Sequence, residues 1–207
     1  DARMETYRRL VDFAKRHHIV VVNDNPYSFI LNEHPISLLQ VEGAKDYCIE
    51  LNSMSKGFNM PGWRVGMCVS NPQFISWILK IKSNIDSGTF RGLQLAAAEA
   101  LTTNDEEWHR EYNINVYRRR RDIAEKIMQT LGCTYDPKQV GMFLWAKIPD
   151  KYTDAEQLTE RVLHEARVFI TPGFIFGNNG RRYVRISLCA QDDKMREALH
   201  RIAALEW

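Results

Sequence analysis

The 207-residue sequence predicts an α/β fold: part of a helix-covered sheet in the first half, then a smaller α+β layer. Three observations carry that expectation. A helix, three short β-branched or apolar runs and a second helix follow one another over residues 4–84. The runs stop in turn chemistry, as at Asn23-Asp24-Asn25-Pro26 and Ser70-Asn71-Pro72. After Gly132 the texture changes to short strands and helices, one strand alternating apolar and polar residues as a half-buried strand does.

The elements follow in chain order. Met4, Tyr7, Leu10, Val11 and Ala14 recur at three- and four-residue spacing among charged residues, so residues 4–16 read as an amphipathic helix. Residues 19–22 (Ile-Val-Val-Val) are apolar on both faces, as expected of a buried parallel strand. Residues 47–51 and 64–69 are further buried strands, and 72–84 is a helix. Residues 91–131 read as helix with one break at Thr102-Thr103-Asn104-Asp105, where Asn or Asp caps the next helix. The run Arg118 to Arg121 reads as a solvated helix face. Beyond Gly132 come a strand at 142–148, a helix at 154–166 capped by Thr153 or Asp154, strands at 168–171 and 182–188, and a helix at 192–205. The boundary between the halves is placed inside the long helix near Asn113, giving segments 1–112 and 113–207.

Hydrophobic residues make up 44% and charged residues 26%, ordinary globular usage that excludes a disordered tail, a collagen-like repeat and a coiled coil. Lys plus Arg is 28 against 26 for Asp plus Glu. A net charge of +2 gives no electrostatic reason to expect nucleic acid or an anionic membrane as partner. No apolar run approaches the roughly 20 residues of a membrane span, and no signal peptide is visible. Cys48, Cys68, Cys133 and Cys189 form no C-x-x-C pair and sit among apolar neighbours. They read as small core residues in a reducing, cytoplasmic compartment. The chain starts at Asp1 rather than Met, as if cut from something longer.

Three clusters carry chemistry. Asp24 and Tyr27 stand at the carboxyl end of a strand, where ligands of open α/β sheets bind. An Asx-turn with a packed tyrosine is the plain alternative. Residues 53–66 place Ser53, Ser55, Lys56 and Arg64 in one Gly- and Pro-rich stretch after another strand end. Hydroxyls with an arginine suit a phosphate dianion, since the guanidinium offers a planar fork of donors. A lysine there acts as a nucleophile if its surroundings lower its pKa. Arg185 lies inside an alternating strand, on the solvent face or on an anion; the alternation favours the solvent face.

Together these residues resemble the class I/II aminotransferases, fold type I of the pyridoxal 5'-phosphate enzymes, over essentially the whole chain. The resemblance implies the C-terminal part of the cofactor-binding large domain, aspartate-aminotransferase-like, followed by the C-terminal α+β small domain. It implies that Asp24 pairs with the pyridine nitrogen and Tyr27 with the ring oxygen O3'. It implies that Lys56 forms an imine with the cofactor, that Ser53 and Arg64 hold its phosphate with help from Ser55, and that Arg185 grips the substrate α-carboxylate. Gly141-Met142-Phe143-Leu144-Trp145 is similar to the family's Gly-x-Phe strand before that arginine. The stretch from Lys82 to Phe90 resembles the alanine-type and LL-diaminopimelate-type subset. The implied reaction exchanges the amino group of an amino acid with a 2-oxo acid. A carboxylate at the pyridine nitrogen keeps it protonated, so the ring accepts electrons; the freed lysine amine shuttles the proton at Cα.

Full-length family members are roughly twice as long and dimeric. The Gly-containing phosphate loop, the ring stacked on the pyridine and an Asn near O3' belong to their first half and have no counterpart here. The chain therefore reads as the C-terminal half of such an enzyme, inactive by itself, with sheet edges left open to aggregation. A β-lyase of the same fold shares Asp24, Tyr27, Lys56 and Arg64. A regulatory module using the fold is the alternative outside enzymes. Among lesser features, the tryptophans Trp63, Trp77, Trp108, Trp145 and Trp207 read as packing. His17 and His18 read as partners of helix-end carbonyls. No metal-ligand spacing is present. Arg91 faces a ligand phosphate, a partner subunit or solvent. Gly173 and Gly177 flank either a loop that closes over substrate or a plain turn.

Overall fold

The computed structural model describes residues 4–103 and 106–207. The chain divides into two compact units, Asp1–Asn113 and Ile114–Trp207.

In the first unit, helix α1 (Met4–His17) buries Tyr7, Val11 and Ala14. Tyr7 and Val11 pack with Leu38, Ala44 and Cys48 into an apolar cluster that also receives Val21. Strand β1 (Val21–Asp24) runs parallel to β2 (Cys48–Ser53), and β3 (Gly66–Val69) runs antiparallel to β2, in the order β1-β2-β3. Two expectations for this sheet are corrected. Strand β1 starts two residues late, because His18 turns left-handed at φ 52 and Ile19 N–H still bonds the Ala14 carbonyl. Pairing begins only when Val21 N–H donates to Tyr47 O. Nor are β1 and β3 buried on both faces, although β2 buries both Cys48 and Ile49. Val21 meets the α1 cluster, while Val22 on the opposite face is 54% exposed and β3 is mostly exposed. The Glu50 carboxylate ties the long connection to the sheet, accepting from Ser37 Oγ at 2.9 Å, Leu38 N at 2.8 Å and Asn23 Nδ2 at 3.3 Å.

A four-residue helix, α2 (Met54–Gly57), follows β2 directly. Helix α3 (Pro72–Ile85) is capped by Asn71, whose Oδ1 accepts from Phe74 N at 2.9 Å; Pro72 occupies its first turn. It buries no residue and leaves Trp77, Leu79, Ile81 and Ile85 exposed. Helix α4 (Arg91–Thr103) buries only Ala97. The expected caps Asn104 and Asp105 lie outside the described residues. Helix α5 (Glu106–Trp108) widens into a π-helical stretch, His109–Val116.

The second unit opens with α6 (Tyr117–Thr130) and contains an antiparallel sheet. Its strands are β4 (Phe143–Lys147), β5 (Thr171–Pro172) and β6 (Tyr183–Ser187), in the order β4-β6-β5. Helices α7 (Ala155–Arg161) and α8 (Asp192–Ala203) complete it. Leu144, Ala146 and Val184 from the sheet, and Met128, Leu158, Val162 and Ile202 from the helices, are fully or almost fully buried. The β5 pairing is shorter than expected. Arg167 turns left-handed at φ 56, and Val168 N–H bonds back to Val162 O, so residues 168–170 do not join the ladder.

The arginine run is a solvated face only at Arg118 and Arg119, which are exposed. Arg121 is buried, with Nε on Glu125 at 2.7 Å and Nη1 on the Gln139 carbonyl at 2.9 Å. Arg120 bonds Asp192 at 3.2 Å and the Leu188 carbonyl at 3.2 Å. Paired, hydrogen-bonded charge tolerates burial where lone charge does not. Together Arg119 and Arg120 hold the Asp192 carboxyl below its usual range against its partial burial. Of the two candidate caps, Asp154 serves: its Oδ1 accepts from Gln157 N at 3.2 Å. Asp154→Ala is expected to cost about 1 kcal/mol, read as a lower denaturation midpoint with unchanged slope.

The cysteines split. Cys48 and Cys133 are buried, but Cys68 and Cys189 are exposed, which corrects their assignment to the core. Burial pushes the Cys133 thiol from 9.0 up to about 12. Folded Cys133 therefore keeps a proton that the unfolded chain releases, so stability falls as pH rises from 9 toward 12, by about 1 kcal/mol per pH unit. Native protein at pH 8 is expected to alkylate at Cys68 and Cys189 and to spare Cys133 until denaturant is added; peptide mass mapping reads this out. Trp145 stacks on Tyr183 at 5.4 Å, and Trp207 carries Arg161 over its ring at 4.8 Å. Trp63, Trp77 and Trp108 are exposed, Trp77 with its ring 5.7 Å from that of Phe74. His17 rests on the Phe13 ring at 4.4 Å rather than on a helix-end carbonyl. Among the described residues no helix is long and apolar enough to cross a membrane.

Candidate active site

Asp24 is the last residue of β1 and pairs with Leu51 of β2. The parallel ladder runs one bond further, Asn25 N–H to Leu51 O at 3.0 Å. Asp24 is exposed at that carboxyl end. Tyr27 is half-buried in the turn that follows, its carbonyl accepting from Ile30 N at 3.1 Å. Because β2 runs parallel to β1 and ends at Ser53, the residues after both strands emerge at the same end of the sheet.

Ser53 caps α2, its Oγ accepting from Ser55 N at 3.1 Å, which leaves its own hydroxyl hydrogen to donate elsewhere. Lys56 is half-buried in the single turn that follows. Residues 54–65 then loop out and return. Met54 N–H donates to Val65 O at 3.1 Å, and Gly66 stands opposite Ser53 in the antiparallel ladder. That pairing brings Arg64 back beside the start of the loop. Gly66 permits it, since a Cβ there would lie 2.9 Å from the Asn52 carbonyl. Arg64 is left-handed at φ 54 and ψ 41, a strained conformation for a residue with a side chain. It is exposed, and Nη1 donates to Pro61 O at 3.1 Å.

Contacts from far along the chain hold the lysine turn. The Gly57 carbonyl accepts from Trp108 Nε1 at 3.1 Å and from Asn113 Nδ2 at 2.9 Å. No local pattern links residues that far apart, and Trp108 alone reads only as packing.

In the second unit Arg185 lies in the middle of β6, opposite Trp145 on one side and Thr171 on the other. Its guanidinium sits 4.2 Å from the Phe143 ring centroid and 4.3 Å from that of Phe176. Its Nε is buried and has no hydrogen-bond partner among the described residues. It is half-buried, so the solvent-face reading favoured by the alternation does not hold. Two tight turns, Gly173–Phe176 and Asn178–Gly180, carry Phe176 into place. The Gly173 and Gly180 backbones touch; a Cβ on either would overlap the other's carbonyl oxygen. Arg91 is exposed at the first position of α4.

The family model for aminotransferase class I and II matches residues 1–202. LL-diaminopimelate aminotransferase from Aquifex aeolicus (strain VF5) is 40% identical over 205 residues, 98% of this chain and 52% of that protein. The substrate-bound structure of BacF from Bacillus subtilis superposes with a TM-score of 0.89 at 34% identity, covering 100% of this chain and 52% of that one. An aminotransferase structure from Staphylococcus aureus gives 0.86 at 34%, covering 99% and 54%. The chain thus spans about half the length of the relatives it matches. With the match running through both sheets, this chain belongs to the class I and II aminotransferases, a pyridoxal-phosphate-dependent family.

Proposed function

We propose that these residues are the C-terminal half of an enzyme that exchanges the amino group of an amino acid with a 2-oxo acid. The observation that carries the reading is the parallel pairing of β1 and β2, which delivers Asp24 with Tyr27 and Ser53 through Lys56 to one sheet end. The antiparallel return of β3 adds Arg64.

The donor set fits pyridoxal phosphate: an amine for its aldehyde, a carboxylate for its ring nitrogen, a phenol for its ring oxygen, and hydroxyls with a guanidinium for its phosphate. When bound, the cofactor supplies an electron sink for the bond to the substrate Cα proton. Asp24 keeps the ring nitrogen protonated, and Tyr27 hydrogen-bonds the ring oxygen. Ser53, Ser55 and Arg64 anchor the phosphate. The Lys56 amine would hold the cofactor covalently and, once the substrate amine has displaced it, would move the proton at Cα as a positioned general base and acid. Arg185 binds the substrate carboxylate; its unpartnered Nε and flanking rings support that role. The first segment, 1–112, belongs to the cofactor domain and 113–207 to the small domain. We place the intact enzyme in the cytoplasm as a homodimer. The 207 residues alone bind the cofactor weakly or not at all.

Product analysis of the full-length protein with cofactor, an amino acid and 2-oxoglutarate tests the reading. LL-diaminopimelate, named for the Aquifex relative, is the first amino acid to assay. A new 2-oxo acid with matching glutamate is the expected result. Ammonia with pyruvate from a β-substituted amino acid, and no amino exchange, means a β-lyase and overturns it.

A further inference from the structure

We infer that His109 and Asn113 are positioning residues: a clasp that fixes the Lys56 turn and the turn after Tyr27 to one stretch of helix. The inference rests on the role proposed for Lys56. The two residues are four apart on the π-helical stretch His109–Val116, and such wide turns concentrate at functional sites.

The hydrogen bonds dictate one arrangement. Gly57, directly after Lys56, offers its carbonyl to Asn113 Nδ2 at 2.9 Å. A carbonyl only accepts, so the amide nitrogen must face it. The other amide hydrogen then meets His109 Nδ1 at 3.3 Å, making that ring nitrogen the acceptor. His109 Nε2–H is left to donate to the Asn32 carbonyl at 3.2 Å. The backbone carbonyl of Asn113 accepts from Leu31 N at 3.0 Å. One face of the clasp thus holds residue 57, the other residues 31 and 32.

The circuit closes on the proposed cofactor residues. Asn32 Nδ2 donates to the carbonyl of Ser28, the buried neighbour of Tyr27, at 2.9 Å. Ser28 Oγ accepts from Asn52 Nδ2 at 3.4 Å, and Asn52 precedes Ser53. The Phe29 ring stands edge-on to His109 at 6.0 Å and to Phe58 at 6.3 Å. A Cβ on Gly57 would lie 3.0 Å from Phe29 Cδ2, a tight contact to which the ring would have to yield.

The arrangement carries a cost. Asn113 is 2% exposed, and its Oδ1 has no partner among the described residues. A buried acceptor left unpaired is unfavourable, and an apolar side chain would avoid it. Such local conflicts survive where they serve function rather than stability. Here the gain is aim. Lysine has a long, rotamer-rich stem. Fixing the carbonyl after it fixes the direction in which that stem leaves the backbone, and small misplacements of a reacting group cost rate steeply.

The test uses the full-length enzyme, apo and loaded with pyridoxal phosphate, as Asn113→Ala, His109→Ala, His109→Gln and Trp108→Phe. In the apo protein, Asn113→Ala and His109→Ala are expected to speed amide exchange over residues 54–60 and 27–32 about tenfold, leaving β4 and β6 unchanged. In the loaded enzyme, both lower kcat about tenfold or more with little change in KM, and both shift the pH midpoint of the visible absorbance band. His109→Gln, which keeps one donor and one acceptor, restores all three readouts. If Asn113→Ala fails to fold, Trp108→Phe removes the second donor to Gly57 from a partly exposed site and should show the smaller change of the same kind. Unchanged exchange at 54–60, exchange raised uniformly, or no rescue by His109→Gln overturns the clasp. A wild-type enzyme that acquires no band with the cofactor sinks the reading of Lys56 instead.

Discussion

Lys56→Ala in the full-length enzyme is expected to abolish the visible band of bound cofactor and to cut amino exchange by about 10²–10⁴-fold from lost proton transfer alone. The fold should survive. Lys56 occupies one turn whose buried residues are Met54 and Gly57, and alanine is the best helix former. Lys56→Arg separates the explanations. Arginine keeps the positive charge but cannot give up its proton, so a general base is lost while a mere counter-ion is kept. Both variants should therefore fail alike, with unchanged circular dichroism. Activity retained by the alanine variant would remove Lys56 from the reaction altogether.

Arg185→Leu should be the second largest loss. Leaving a substrate carboxylate without its charged partner costs about 2–5 kcal/mol, which is a fall in kcat/KM of roughly 30- to 5,000-fold. Arg185→Lys should recover little of it. The guanidinium is planar and lies over the Phe143 and Phe176 rings, and an ammonium matches neither the stacking nor the two-pronged contact with a carboxylate. The discriminating measurement is the amine substrate lacking the carboxylate. Its rate should be indifferent to both substitutions; a variant that slows both substrates equally would mean that Arg185 supports the fold instead.

What the sequence discloses here is local chemistry. Turn residues marked the strand ends only to within two residues: the ladders run on through Asn23 and Asp24 and through Asn52 and Ser53, and these ends carry the candidate cofactor residues. The Ser53-Met54-Ser55-Lys56 stretch is contiguous and so is visible without a fold. Contacts between distant residues are not. Arg121 looks like one of four solvated arginines until Glu125 and the Gln139 carbonyl take its charge indoors. Val20 and Val22 look buried because they are β-branched, yet both are exposed. His109 and Asn113 show no spacing to Gly57 at all. Arg185 is an intermediate case: its alternation pointed outward, and only the Phe143 and Phe176 rings within 4.3 Å of its guanidinium show why it is half-buried.

The contact between the Gly173 and Gly180 backbones has a calorimetric consequence. With those turns pinned, Phe176 and the arginine beneath it are assembled before any ligand arrives. Little motion remains to be frozen on association, so the entropic tax usually levied on a flexible arginine is already settled by folding. Carboxylate uptake should then register as heat released, with a small entropy change of binding. Gly173→Ala would reverse that signature: weaker binding, with the loss written mainly in entropy.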